Sequence, residues 1–340
     1  MSGYKPETEA VLFSASEEYF AAAAQEIRTE FPDTQIERLT SELGLATGLT
    51  ATALAQVCRE RPLVFVRHLV QQQAVLTAPT SAEVSAVLRE IVPSQAGHVS
   101  LQVWSPDSRF PLSVGGLRAA VEEDLLASGI DVRRGEAETV LAVCVTREAV
   151  RLGVTATKDV LADWPGGRVS LKKTPQQISR SEFKLEELLK LCAGAVGKGT
   201  WALDLGASPG GWTRLLRARG YQVCAVDPAS LDPALKADPG VHHVARTAGR
   251  FLRETQQQYD LVVNDMRMDT ARSAGIMNEA VSLLAPQGRG IVTLKTGTRD
   301  PLENAACGLS LLRQKYKIVF ARSLFHNRAE VTVVVQSWQS

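Results

Sequence analysis

The chain has no long apolar run, no cysteine pair spaced for a metal, and almost no net charge. No stretch approaches the roughly 18 to 20 apolar residues that a membrane helix needs, so no spanning helix is expected. The opening MSGYKPETEA lacks a basic segment followed by an apolar one, so no secretory signal is expected either. The five cysteines, Cys58, Cys144, Cys192, Cys224 and Cys307, are scattered and form no CxxC pair. An odd, dispersed set suits a reducing cytoplasm and argues against zinc. His242, His243 and His326 show no ligand spacing, so no metal is expected. A net charge of +1 neither favours nor excludes a nucleic-acid partner, because local patches can be basic within a neutral chain.

What is present is ordinary core-forming material. The 340 residues are 45% hydrophobic and 22% charged, enough for two or three globular domains. Residues 1–59 read as an N-terminal α/β subdomain, with a strand at 10–14 and a helix at 17–31 carrying Phe20, Ala23, Ala24 and Ile27 on one side. Residues 60–158 read as a mixed α/β domain. Strands are expected at 63–69, 99–104, 139–145 and 149–154, and helices at 82–92 and 115–128. The run WPGG followed by KKTP marks a linker over 159–178. From residue 179 onward, strand and helix alternate. Strands are expected at 201–205, 222–226, 241–245, 261–264, 290–295, 317–321 and 330–336, and helices at 181–191, 213–219, 271–284 and 302–315. Alternation of this kind predicts an open, mostly parallel sheet with helices on both faces. The last two strands have no helix between them, so they pair antiparallel.

The segment LDLGASPGGW, residues 203–212, joins a buried strand to a helix through Gly206, Gly210 and Gly211. Glycines there allow a sharp turn and leave room for a ligand near the chain, and the helix start offers free N–H groups. A dinucleotide fingerprint wants GxGxxG at this turn, and the spacing is wrong for it. The next strand ends in Asp227, which by itself suits a turn, a helix cap or a bond to ribose hydroxyls.

The turn Gly206, Ser208, Pro209, Gly210, Gly211, Trp212 resembles the signature of FtsJ-like ribose methyltransferases. The stretches SRSEFKLEE, LDLGASPGGW and HNRAEVTV resemble more closely the RlmM type within that group. The resemblance implies a Rossmann-like sheet, mostly parallel with one antiparallel strand, that binds S-adenosylmethionine. It implies an N-terminal RNA-binding THUMP module, for which residues 60–158 have a compatible make-up, and a ribose 2′-hydroxyl of 23S ribosomal RNA as methyl acceptor. It places Lys184, Asp265, Lys295 and Glu330 at the reaction centre. It places Ser181, the 206–212 turn, Asp227 and Asp265 around the cofactor. Ser181 by itself is a helix-start residue, and Trp212 by itself is a packing residue. One departure stands out. Ala248 occupies a place where the family usually has an aspartate against the adenine amino group.

The chemistry accounts for the residue types. A ribose hydroxyl is a poor nucleophile, so a methyltransferase must align it with the donor and remove its proton. A lysine does this only when neutral, and burial and a nearby cation both lower a lysine's pKa. Lys295 is the expected base because it closes an apolar strand at the sheet end where ligands bind. Asp265 would orient it, while Lys184 and Glu330 would position the ribose. Arg168, Lys172, Lys173, Arg180 and Lys184 form a basic cluster suited to phosphates, or else a solvated linker face. Two other functions fit parts of the chain: an RNA-binding or ribosome-assembly protein with weak turnover, which Ala248 favours, and a methyltransferase acting on tRNA or on a small molecule.

Overall fold

The computed structural model describes residues 9–338 except 95, 107–112, 134, 136 and 198. The chain folds into two compact units that meet between Val169 and Ser170.

The N-terminal unit holds two sheets. The first contains β1 (Ala10–Ser14), β2 (Gln35–Arg38), β3 (Leu43–Thr47) and β4 (His68–Gln71) in the order β2-β3-β1-β4, all antiparallel. The helices α1 (Phe20–Glu30) and α2 (Ala51–Glu60) interrupt it. β4 comes from beyond residue 59, so the strand that completes this sheet lies in the stretch assigned by sequence to the next domain. The expected strand at 63–69 starts later than expected. The carboxylate of Glu26, in α1, accepts the backbone N–H groups of Val64 (2.8 Å) and Phe65 (3.0 Å). Those donors are therefore unavailable to a ladder, and 63–66 is a buried loop. β2 and β3 were not anticipated. β2, QIER, has one apolar residue on a sheet edge, too little for an alternating signal.

The second sheet contains β5 (Ala74–Leu76), β6 (His98–Trp104), β7 (Asp131–Val132), β8 (Thr139–Val145) and β9 (Val150–Ala156) in the order β5-β9-β8-β6-β7. Two helices cover it, α3 (Ser81–Ile91) and α4 (Val114–Ala127), through Val84, Leu88, Leu117, Val121 and Leu125. α3 begins with a capping box. The Thr80 hydroxyl accepts from the Glu83 N–H, and the Glu83 carboxylate accepts from the Thr80 N–H.

The C-terminal unit is built on seven strands. These are β10 (Trp201–Leu205), β11 (Gln222–Val226), β12 (Val241–Val244), β13 (Tyr259–Asn264), β14 (Leu284–Leu294), β15 (Tyr316–Arg322) and β16 (Val331–Ser337). Their order is β12-β11-β10-β13-β14-β16-β15. The helices are α5 (Glu182–Leu191), α6 (Gly211–Arg217), α7 (Pro233–Lys236), α8 (Ala248–Glu254), α9 (Thr270–Glu279) and α10 (Pro301–Arg313). β10 through β14 pair in parallel, and β16 runs antiparallel to both neighbours. This is the mostly parallel sheet with one reversed strand that the alternation predicts. Strand order reverses between β10 and β13, the kind of point at which an open α/β sheet forms a crevice. The reversal of β16 has a consequence for the site. Val331 pairs with Leu294, so the start of β16 lies beside the ends of the parallel strands.

Candidate functional site

Five of the sequence-predicted site residues adjoin strands at one end of the seven-stranded sheet, while Ser181 and Lys184 belong to the start of α5. Gly206 follows β10, Asp227 follows β11, Asp265 follows β13 and Lys295 follows β14, while Glu330 precedes the reversed β16. A cleft of about 1540 Å³ opens there. Single-ligand pockets run to about 1,000 Å³, so this cleft has room for a donor and an acceptor together.

The glycine turn forms one wall. Gly206 (φ 76°) and Gly210 (φ 116°) take backbone conformations that disfavour a side chain. The space these glycines leave was expected to serve a ligand, but the protein fills it. A Cβ on Gly206 would sit 2.1 Å from Met266 Cγ, one on Gly210 would sit 2.1 Å from Leu235 Cδ1, and one on Gly211 would sit 2.2 Å from Ser179 Oγ. The Asp227 carboxylate accepts the N–H of Ser208 (3.1 Å) and of Ala229 (2.7 Å), which fixes its orientation. The Ser208 hydroxyl donates to Ser230 O (2.9 Å), and Pro209 lines the cleft. Trp212 is buried, and its indole N–H donates to Ser181 O (2.8 Å), so it braces the start of α5. The Ser181 hydroxyl lies 2.6 Å from Ser179 Oγ and caps nothing. Ala248 opens α8 and is buried along the cleft wall, so position 248 offers no carboxylate.

Lys184, Asp265, Lys295 and Glu330 meet in one network. Lys184 Nζ lies 3.0 and 3.1 Å from the two Asp265 oxygens and 2.7 Å from Glu330 Oε1. Lys295 Nζ lies 2.7 Å from Asp265 Oδ1, 2.7 Å from Thr293 Oγ1, and in contact with Glu330 Oε2. Glu330 is only 3% exposed through its side chain, so its charge depends on these lysines rather than on water. For the pKa of Lys184, burial and the neighbouring carboxylates pull in opposite directions. Burial alone would lower it, but the Asp265 and Glu330 carboxylates outweigh burial and hold it above the ordinary lysine value. Burial likewise works to raise the Asp265 carboxyl, and Lys295 and Lys184 together hold it below its ordinary value. Beneath the glycine turn, burial pushes the Asp204 carboxyl up to about 7, although the Thr213 hydroxyl donates to it (2.6 Å).

Several supporting residues were not anticipated. Thr293 donates to Asp265 Oδ1 (2.6 Å) and accepts from Lys295. It lies two residues before Lys295 on the strand side, and the period of two was the signal that would have found it. Asn327 donates to Glu330 Oε1 (3.2 Å). Glu182 and Glu187, both on α5, are buried despite their charge. Glu182 accepts from Ile178 N (2.7 Å), Ser179 N (3.3 Å) and Arg214 Nε (3.0 Å). Glu187 accepts from Phe325 N (2.7 Å) and His326 N (2.9 Å), and lies 2.7 Å from His326 Nδ1. The basic linker cluster is smaller than it read. Arg168 is held by Glu42 (2.5 Å) and by the carbonyls of Ser105 and Pro106, and Lys184 belongs to the buried network. Lys172, Lys173 and Arg180 remain exposed. Among the described residues no group of three His, Cys, Asp or Glu is placed to hold a metal, and no helix is long and apolar enough to cross a membrane.

Comparison with known proteins places these features. Residues 177–291 match the FtsJ-like methyltransferase family. A ribosomal RNA large subunit methyltransferase M from Halorhodospira halophila (strain DSM 244 / SL1) is 37% identical over 182 residues, 52% of this chain and 52% of that protein. The protein of that name from Xylella fastidiosa (strain M12) is 30% identical over 301 residues, 84% of each chain. Among solved structures, TrmN from Thermus thermophilus aligns with 96% of this chain and 99% of its own at 15% identity, with a TM-score of 0.38.

Proposed function

The chain belongs to the ribosomal RNA large subunit methyltransferase M family, and from that premise we propose that it methylates a ribose 2′-hydroxyl of large-subunit (23S) ribosomal RNA, in the cytoplasm. It is an FtsJ-like methyltransferase that uses S-adenosylmethionine. The observation that carries the proposal is the meeting of Lys184, Asp265, Lys295 and Glu330 at the floor of the cleft bordered by the glycine turn.

The cleft fits the donor. Asp227 presents a carboxylate already oriented by two backbone donors, suited to accept from a ribose diol. The 206–211 turn and Ser181, which line the cleft, would border the methionine end. When bound, the donor supplies an activated methyl group on a sulfonium. The rest of the chemistry falls to the chain. Lys295 Nζ faces three oxygen acceptors, from Asp265, Thr293 and Glu330, which match the three N–H bonds of an ammonium. A general base at Lys295 would be a neutral amine, with the lone pair that replaces one of these N–H bonds turned to the 2′-hydroxyl. The amine nitrogen would take the proton of the 2′-hydroxyl as that oxygen bonds the methyl carbon and the carbon's bond to sulfur breaks, its electron pair staying on sulfur. Lys184, held charged by its two carboxylates, stays cationic through this exchange and keeps Asp265 and Glu330 in register. Thr293 fixes the spacing between Asp265 and Lys295.

Residues 60–158 are read as the THUMP-like RNA-binding module, preceded by the 1–59 subdomain and joined by the 159–178 linker to the catalytic domain at 179–340. Lys172, Lys173 and Arg180 would meet phosphates near the cleft. The test is labelled donor incubated with deproteinised ribosomal RNA, ribosomal subunits and tRNA, comparing wild type with Lys295→Ala. The proposal expects label in large-subunit RNA with wild type alone, and one linkage that becomes resistant to alkali. Label in tRNA alone would move the substrate. Label in none would favour a binding role, to which Ala248 already lends support.

A further inference from the structure

Arginines line the cleft in excess of any acid that could pair with them. Arg246 and Arg250 are both held by Glu254. Arg253 of α8, Arg267 in the turn after β13, and Arg272 in the first turn of α9 are exposed on the same cleft, and their guanidinium groups have no hydrogen bond or ion pair with any described residue. The acids of the cleft are engaged elsewhere. Asp265 and Glu330 face the lysines, Asp227 faces backbone N–H groups and Asp204 faces Thr213. Glu279, also on the cleft, pairs with none of the three. Met268 and Ile276, both half-buried, share this wall.

Unpaired cations on a concave wall repel one another and concentrate positive potential there. An arriving anion relieves that repulsion. The methyl donor is not that anion, since it carries a sulfonium and an ammonium against a single carboxylate. We infer that the wall formed by α8, the 265–269 turn and α9 is a phosphate track for a single-stranded stretch of the acceptor RNA. Arg253, Arg267 and Arg272 bind successive phosphates flanking the reactive ribose, and Met268 and Ile276 supply apolar surface for a base turned out of its stack. A duplex would keep that base from the wall, so the segment entering the cleft is unpaired. The inference rests on RNA being the acceptor, and it adds a second set of contacts to Lys172, Lys173 and Arg180.

The experiment uses the full chain with Arg253, Arg267 and Arg272 all replaced by Ala, and a matched triple Lys variant. The Michaelis constant for deproteinised large-subunit RNA is measured over a series of KCl concentrations, and affinity for S-adenosylhomocysteine is measured by calorimetry. The track requires the Ala variant to raise that constant at least tenfold. It also requires a shallower salt dependence by about 2 in log–log slope, since each single-strand phosphate contact contributes about 0.7. The Lys variant, which keeps the charges, should retain most of the slope. S-adenosylhomocysteine affinity should not change, which also reports an intact fold. An unchanged Michaelis constant and slope in the Ala variant overturns the track while leaving the RNA reading in place. A parallel loss of S-adenosylhomocysteine affinity overturns it too, by assigning the arginines to the donor. Transfer to tRNA instead, with the same change in slope, keeps the track and removes the ribosomal substrate. Transfer by wild type to no RNA at all removes both.

Discussion

Three side chains each have a definite consequence at the scale of single residues. Replacing Lys295 by Ala should lower methyl transfer by about 10² to 10⁴, the range for loss of a general base, with S-adenosylhomocysteine still bound. Lys295→Arg should not restore activity, because a guanidinium cannot give up its proton at working pH. Single-turnover transfer at saturating RNA measures both. Thr293→Val keeps the volume and removes the hydroxyl that bridges Asp265 and Lys295. It should reduce transfer about tenfold, since a lost bond in such a buried network is worth about 1–3 kcal/mol. Asp204 gives a pH dependence of stability. Its carboxyl is raised by burial from 3.8 to about 7, so the fold favours the protonated acid. That contribution is complete below the unfolded value, fades as pH rises toward the folded one, and is absent above it. Urea unfolding at pH 5 and pH 8 should show a drop in stability in wild type that shrinks in Asp204→Asn. An equal drop in both proteins would refute the assignment.

α5 shows at the scale of elements why a helix was easy to place and hard to interpret. Its span was legible to within one residue from the apolar spacing of Leu185, Leu188 and Leu189. Its charged residues are of types that usually face solvent on a helix. In the fold, three of them are turned inward. Glu182 grips residues 178–179 and Arg214, Lys184 enters the reaction network, and Glu187 grips residues 325–326. The helix thus ties the glycine-turn wall of the cleft to the loop that carries Glu330. Glu187→Ala leaves the half-buried N–H groups of Phe325 and His326 without their acceptor and should cost about 1–3 kcal/mol in urea unfolding. It should also lower the turnover rate more than it weakens donor binding. Burial of Glu187 follows from the 323–330 loop folding over α5, and no local pattern encodes that. The delayed start of β4 has a similar origin, since the Glu26 carboxylate takes the donors that an apolar run would otherwise give to a sheet.

The reversed strand is the decisive feature at the scale of the whole molecule. Had β16 run parallel to β14, Glu330 would lie at the opposite end of the sheet from Lys295. Insertion of β16 between β14 and β15 brings its first residues to the strand ends where ligands bind. If residues 60–158 form the RNA-binding module, a chain limited to 170–340 should still bind S-adenosylhomocysteine with unchanged affinity. Its Michaelis constant for RNA should rise at least tenfold, as calorimetry and labelled transfer would report. Equal RNA kinetics in the two chains would leave the N-terminal unit without that role.

The sequence by itself determined the alternation of strands and helices and the turn at 206–211, and its resemblance to FtsJ-like enzymes pointed to Lys184, Asp265, Lys295 and Glu330. These are local properties: periodicity, glycine conformation and the residue types that a proton transfer requires. Tertiary structure decided which groups meet. The packing of α5 against residues 178–179 and Arg214 buries Glu182, its packing against the 325–330 loop buries Glu187 and joins Lys184 to Glu330, and the order of the strands sets Lys295 against Glu330. The cleft wall leaves Arg253, Arg267 and Arg272 without acids. Each of these depends on contacts between segments far apart in the chain, and Coulomb interactions follow distance in space rather than along the sequence.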